Sequence, residues 1–259
     1  MTSDYRTLSM LIHGESKVGK TTLAATTPGL KVILDAEGGW KFIAGMPNPN
    51  RKTEAHPEGE PFRRIDWDPT QPPPEDDGTW DFAVVTVQQW DTVSRAYQWL
   101  RTGEHPFESF VMDSITEIQR RCRENLTGTE AMQIQDWGKL LILMENVIRG
   151  FRDLANAPGP IRNVVFTAEC EFKNGKWRPS MQGKIGNALP YLMDVVGYLF
   201  REPVLDANGQ DTGTKTRKLL VGQSDEFEAG ERVQGRIPDI VAEPNITDIM
   251  SRIYPGFEA

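Results

Sequence analysis

Long apolar runs, cysteine, histidine and positive charge are all scarce in this chain of 259 residues. The longest uninterrupted apolar stretch, Leu140 to Met144, is five residues, far short of the roughly 18 that cross a bilayer, so no membrane association is expected. The opening MTSDYRTLSM has neither a basic stretch nor an apolar one behind it, and no secretory leader is expected. Cys122 and Cys170 make no disulfide framework and fit a reducing, cytoplasmic compartment. His13, His56 and His105 are dispersed and near neither cysteine, which argues against a zinc centre. The net charge of −8 argues against a whole-surface nucleic-acid binder. It leaves room for a local basic segment.

What is present is ordinary globular composition, 38% hydrophobic and 25% charged. Leu8 to His13 reads as a short buried strand, Lys20 to Thr26 as a helix that must stop before Pro28, and Lys31 to Asp35 as a second strand, together a βαβ unit. Residues 47–74 then hold 8 of the 18 prolines and run into Glu75-Asp76-Asp77. That composition predicts an exposed, poorly ordered insertion at about 47–79 within a single domain spanning 1–259. Strands are predicted at Phe82–Val87, Phe107–Asp113 and Asn163–Thr167, with a helix over Val93–Leu100. The stripe Ile134, Trp137, Leu140, Leu141, Met144, Val147, Ile148, Phe151 predicts a core-facing helix over Gln133–Leu154. Tyr191–Phe200 is strand-like in its second half, Asp206–Gly209 is a turn signal for a hairpin, and Ile246–Ile253 is a short amphipathic helix. The expected fold is one α/β domain with a mostly parallel sheet.

Gly14-Glu15-Ser16-Lys17-Val18-Gly19-Lys20-Thr21 matches G-x-x-x-x-G-K-[ST], followed by Thr22. Glycines let backbone N–H groups curl around a phosphate, Lys20 reaches the β/γ-phosphates, and the Thr21 hydroxyl is a Mg²⁺ ligand. The helix that starts there also turns its positive end to the anion. ATP and Mg²⁺ are the expected ligands. Such a loop needs an acid on the Mg²⁺ side at a neighbouring strand end. Asp113, closing FESFVMD, fits; Asp-Ser is also a helix N-cap signal. Hydrolysis needs a group that orients water, and Glu37 lies just past KVILD at the sheet edge where ligands bind. Asp35, the last strand residue, is the competitor and is expected to point into the turn.

GESKVGKTT, LDAEGG and FVMDS, in that order, resemble the ATPase core of RecA-type recombinases. QDWGKLL, NVVFTAE and GKIGNALPYLMDVVGYL extend the likeness over most of the chain, closest to short phage-encoded RecA-core proteins described as single-strand annealing ATPases. The resemblance implies a RecA-like P-loop NTPase core with helices on both faces of the sheet and a C-terminal β-hairpin. It implies that Glu37 polarises the attacking water and Asp113 serves Mg²⁺. Glu169 takes the γ-phosphate-sensing place, where an amide or imidazole is expected; a carboxylate facing phosphate is repulsive unless protonated or bridged. Residues 171–187 become a DNA-contacting loop, with Lys173, Lys176, Arg178 and Lys184 against Glu171 giving +3 and Trp177 as a stacking platform. In Ala229–Arg232, Gly230 stands where a first basic residue is expected, leaving Arg232 to reach a neighbouring subunit's ATP. The first strand begins within ten residues of Met1, which leaves no segment of the kind that tethers subunits in larger recombinases, although a homo-oligomer is expected.

The implied activity is ATP- and Mg²⁺-dependent hydrolysis coupled to single-stranded DNA binding and annealing or strand pairing. The setting is phage recombination in the bacterial cytoplasm, with a single-strand-binding protein as partner. Two rivals remain: a nucleotide-gated binding module with little turnover, and a small-substrate phosphotransferase using Arg51, Arg63 and Arg64 as lid arginines.

Overall fold

A computed structural model describes residues 6–257; Met1–Tyr5, the first half of the stretch read for a leader, lie outside the described residues. The elements are β1 (Leu8–Gly14), α1 (Lys20–Ala25), β2 (Lys31–Asp35), β3 (Arg64–Asp66), β4 (Phe82–Thr86), α2 (Trp90–Leu100), β5 (Ser109–Asp113), α3 (Ile115–Thr127) and α4 (Ile134–Asp153). Then come β6 (Asn163–Lys173), β7 (Lys176–Pro179), α5 (Ile185–Leu192), β8 (Val195–Leu205), β9 (Asp211–Leu220), β10 (Gly230–Glu231), β11 (Ile240–Ala242) and α6 (Ile246–Ile253).

One 11-stranded sheet runs β11-β9-β8-β1-β6-β5-β2-β4-β3, with β10 on β8 and β7 on β6. The centre is parallel, from β8 through β1 to β3. Strands β1, β2 and β5 are buried at every position, as parallel strands covered on both faces must be. Alternate residues serve opposite layers. Leu11, Leu34, Phe110 and Phe166 pack under α2–α5, while Met10, Ile12, Ile33 and Val165 pack under α1 and α6. The β8–β9 hairpin closes over Asp206, whose carboxylate accepts the N–H groups of Asn208 and Gln210. The α/β architecture expected from the sequence, a mostly parallel sheet with helices on both faces and a hairpin toward the C-terminus, is therefore the one observed.

Some expectations need correction. The 47–79 insertion is not a poorly ordered excursion throughout: Phe62 and Trp67 are buried, and β3 adds a parallel edge strand to β4. Its aromatic content supplies the apolar burial that its prolines conceal. Helix α4 buries Leu140, Met144, Ile148 and Phe151, with Phe151 stacked on Phe110 at 4.3 Å. Its first turn departs from the expected core stripe, for Ile134 is 94% and Trp137 42% exposed. Helix α3 follows the Asp-Ser N-cap signal, with Ser114 as the cap, although its length was not read from the sequence. Ile115, Ile118 and Cys122 form its narrow buried face amid charged residues. Among the described residues, no helix is long and apolar enough to cross a membrane.

Candidate nucleotide site and the adjoining basic hairpin

The loop Gly14–Thr21 leaves the C-terminal end of β1, where Gly14 sits level with Glu169 of β6 and Leu199 of β8. A side chain at Gly14 would place its Cβ 2.4 Å from the Leu199 carbonyl oxygen, so only glycine fits. Gly19 precedes α1 with φ at 110°, a left-handed backbone that other residues adopt only under strain. Glu15, Ser16 and Lys17 are exposed, Val18 is buried, and Lys20, Thr21 and Thr22 are half-buried. The Lys20 ammonium donates to the carbonyls of Gly14 at 3.0 Å and Glu15 at 2.9 Å, holding it over the loop.

Thr21 Oγ1 donates to Asp113 Oδ2 at 2.7 Å. Asp113 is buried, and it also accepts from Trp40 Nε1 at 2.9 Å and from the Thr167 hydroxyl. The N-cap role belongs to its neighbour: Ser114 Oγ accepts the Glu117 N–H. A hydroxyl and a carboxylate oxygen in contact beside the phosphate loop are the hard donors Mg²⁺ takes when phosphates and waters complete its shell, so this pair fits the ion. Among the described residues, no three His, Cys, Asp or Glu gather into a separate metal cluster.

The Ser114 hydroxyl donates to Glu37 Oε1, bringing Glu37 beside the end of β5. Burial pushes the Glu37 carboxyl above its ordinary range; the Ser114 hydrogen bond opposes that, and the Asp113 charge adds to it. Asp35 takes the other course. Its carboxylate accepts the N–H groups of Glu37 at 3.2 Å, Gly38 at 2.7 Å and Trp40 at 3.2 Å, so it builds the turn that carries Glu37.

Glu169 is bridged. Arg120 Nη2 donates to its carboxylate at 2.7 Å, and Arg120 also pairs with Glu117 at 2.9 Å. The segment at 171–187 is not a loop. Strands β6 and β7 form a hairpin turned by Asn174-Gly175, both at positive φ, followed by α5. Asn-Gly between alternating residues is a strong hairpin signal that was legible in the sequence. Lys173 and Lys184 are exposed and Lys176 is half-buried. Arg178 is committed to the protein, donating to Asn187 Oδ1 at 3.0 Å and pairing with Glu228 at 3.6 Å. Trp177 is also tied in: its backbone N–H donates to the Glu226 carbonyl, and its ring leans on Phe172 at 5.5 Å. The exposed ring is Phe172, at 61%.

Arg232 lies at the other end of the sheet. Its N–H donates to the Asp194 carbonyl, Asp194 N–H donates to the Ser9 carbonyl, and its guanidinium donates to the Tyr191 carbonyl. Ser9 and Gly14 are separated by roughly 17 Å of strand, so Arg232 cannot serve the nucleotide of its own chain. The supposed lid arginines are no nearer. Arg51 and Arg63 hold Asp81 at 2.7 and 3.0 Å, ahead of β4, and Arg64 pairs with Asp66. That removes the lid.

A family model described as AAA domain matches residues 6–233. The chain belongs to the AAA domain family. With its phosphate loop at the C-terminal edge of a parallel sheet, this AAA domain is a P-loop NTPase. Among solved structures, the flagellar accessory protein FlaH from Methanocaldococcus jannaschii matches at 8% identity and a TM-score of 0.44, covering 92% of this chain and 84% of that one. No curated protein matches the sequence.

Two groups at the site carried no sequence signal. Arg120 meets Glu169 across 49 residues. Arg201 and Arg217 reach the phosphate loop from the β8–β9 hairpin, where Arg201 Nε donates to the Val18 carbonyl at 3.1 Å.

Proposed function

We propose that this AAA domain is an ATP- and Mg²⁺-dependent ATPase that binds single-stranded DNA and promotes annealing or strand pairing in phage recombination. It acts in the bacterial cytoplasm as a homo-oligomer, alongside a single-strand-binding protein. One observation carries the reading. Strand β6 lays Glu169 beside Gly14 of the phosphate loop and continues into exposed Phe172 and Lys173. A single strand thus joins the phosphate site to a cationic, aromatic tip of the kind that tracks single strands.

Chemistry at the loop follows from this chain's own groups. Backbone N–H groups of residues 14–21 and Lys20 hold the phosphates, and Glu37, kept basic by burial, orients water and accepts its proton. Thr21 and Asp113 hold Mg²⁺, which offsets phosphate charge when bound. Ser114 fixes the Glu37 carboxylate, and Asp35 fixes its backbone.

The test is steady-state ATP hydrolysis with and without a single-stranded oligonucleotide, in wild type and Glu37→Gln. Stimulation by the oligonucleotide, lost in the variant, supports the reading. Hydrolysis indifferent to DNA removes the recombination role. The place of Arg232, far from its own phosphate loop, favours a second reading: a nucleotide-gated binder that turns over slowly until subunits assemble. Tight ATP binding without turnover in the isolated subunit is its signature.

A further inference from the structure

The β8–β9 hairpin brings two guanidinium groups to the phosphate loop, and among the described residues neither is in a salt bridge. Arg201 and Arg217 are directly cross-strand partners. A Cβ at Gly19 would lie 3.1 Å from both Cδ and Nη1 of Arg217, so that side chain rests on the glycine next to Lys20. Among the described residues no acceptor engages the Arg217 guanidinium, and no ion pair holds either arginine. Burial, and then the Arg201 charge, depress the Arg217 pKa; Glu243 opposes this more weakly. Like charges directly opposite on a ladder are destabilising, and a half-buried cation without a partner costs more. Such a pair needs an anion.

The sheet says which part of the anion. Glu37 and Asp113 lie on the β5–β2 side of β1, which puts the reacting γ-phosphate there. The rest of a nucleotide must leave on the opposite side, toward β8 and β9. A cleft of about 490 Å³ opens there between Ser16–Val18 and Tyr198, Arg201 and Lys215. Glu15 is the one carboxylate on its wall, against the cations Lys17, Arg201 and Lys215.

We propose that Arg217 and Arg201 form a subsite, within the same chain, for the α-phosphate side of a bound nucleoside di- or triphosphate. The proposal rests on the nucleotide reading above. ADP and ATP share those phosphates, so both lose affinity alike when the arginines are removed.

The experiment is calorimetric titration of ADP and of ATP, with melting temperatures, on full-length wild type, Arg217→Gln, Arg201→Gln and Lys20→Ala. The expected result for Arg217→Gln is roughly tenfold weaker binding of both nucleotides, the scale of a lost charge-assisted bond. The nucleotide-free melting temperature should hold or rise, since an unpaired charge has gone. Should Arg217→Gln misfold, Arg201→Gln carries the same expectation. Wild-type affinity for both nucleotides in both arginine variants, with binding lost in Lys20→Ala, overturns the subsite and leaves the nucleotide reading standing. A loss confined to ATP also overturns it, because the arginines would then serve the γ-phosphate. If the wild type binds neither nucleotide, the underlying reading falls first.

Discussion

The Arg120 guanidinium holds the Glu169 carboxylate at 2.7 Å, one strand away from Gly14 of the phosphate loop. On the proposed reading, that contact would offset the repulsion a bare carboxylate exerts on a γ-phosphate. Arg120→Ala should therefore weaken ATP binding more than ADP binding, and Glu169→Gln added to it should restore ATP. A double-mutant cycle on ATP affinity, with a coupling of about 1 kcal/mol or more, measures this. Additive effects would mean that the pair acts only as a surface ion pair.

On the proposed reading, the β6–β7 hairpin separates residues that would meet DNA from residues that hold the scaffold. Phe172→Ala should lower oligonucleotide affinity by about 1–3 kcal/mol, the scale of a lost base–aromatic stack. Lys173→Ala with Lys176→Ala should flatten the salt dependence of binding. Arg178→Ala, by contrast, breaks the contacts to Glu228 and Asn187, so its main effect should be a lower melting temperature. Fluorescence anisotropy over a range of salt distinguishes these variants.

Arg232 offers a test of cooperation between subunits. Lys20→Ala and Arg232→Ala should each abolish most hydrolysis, and mixing the two should restore part of it. Recovery arises only if one variant's arginine completes the other's site. Absence of recovery across all mixing ratios would return Arg232 to its hydrogen bond with the Tyr191 carbonyl.

His13, one residue before the loop, gives a pH signature. Burial, opposed by its Nε2–H bond to the Glu228 carbonyl and reinforced by Lys20, lowers its pKa to about 4 from 6.5. The unfolded chain thus binds a proton that the folded chain refuses. The associated stability is complete above pH 6.5 and drains away as pH falls toward 4, by about 3 kcal/mol at the limit. His13→Gln removes that titration. Denaturant midpoints of wild type and variant should converge, or cross, as pH drops from 7 to 4.5.

Residues near in sequence were legible. GESKVGKTT announced the phosphate loop, and the apolar runs KVILD, SFVMD and NVVFT became β2, β5 and the start of β6. Strand ends pointed to Asp113 and Glu37, and the structure places both beside the phosphate loop. Pairings between distant residues were not legible. Nothing in ITEIQRRCRENLT shows that Arg120 meets Glu169, because that contact depends on where α3 crosses β6. The register of β8 on β9 likewise decides that Arg201 and Arg217 face each other. The start of α3 was signalled by Asp-Ser, but its extent was hidden by its charges, and the insertion's order by its prolines, since in each case a few buried side chains outweigh the average composition.

The contact between Gly14 and the Leu199 carbonyl has a mechanical meaning. Because no side chain can be inserted there, the mouth of the phosphate loop and strand β8 lie backbone against backbone. Strand β8 runs on to Leu205 at the exposed end of its hairpin. A substitution that adds a Cβ at Gly14 is therefore met by the backbone of β8, which cannot step aside as a side chain could.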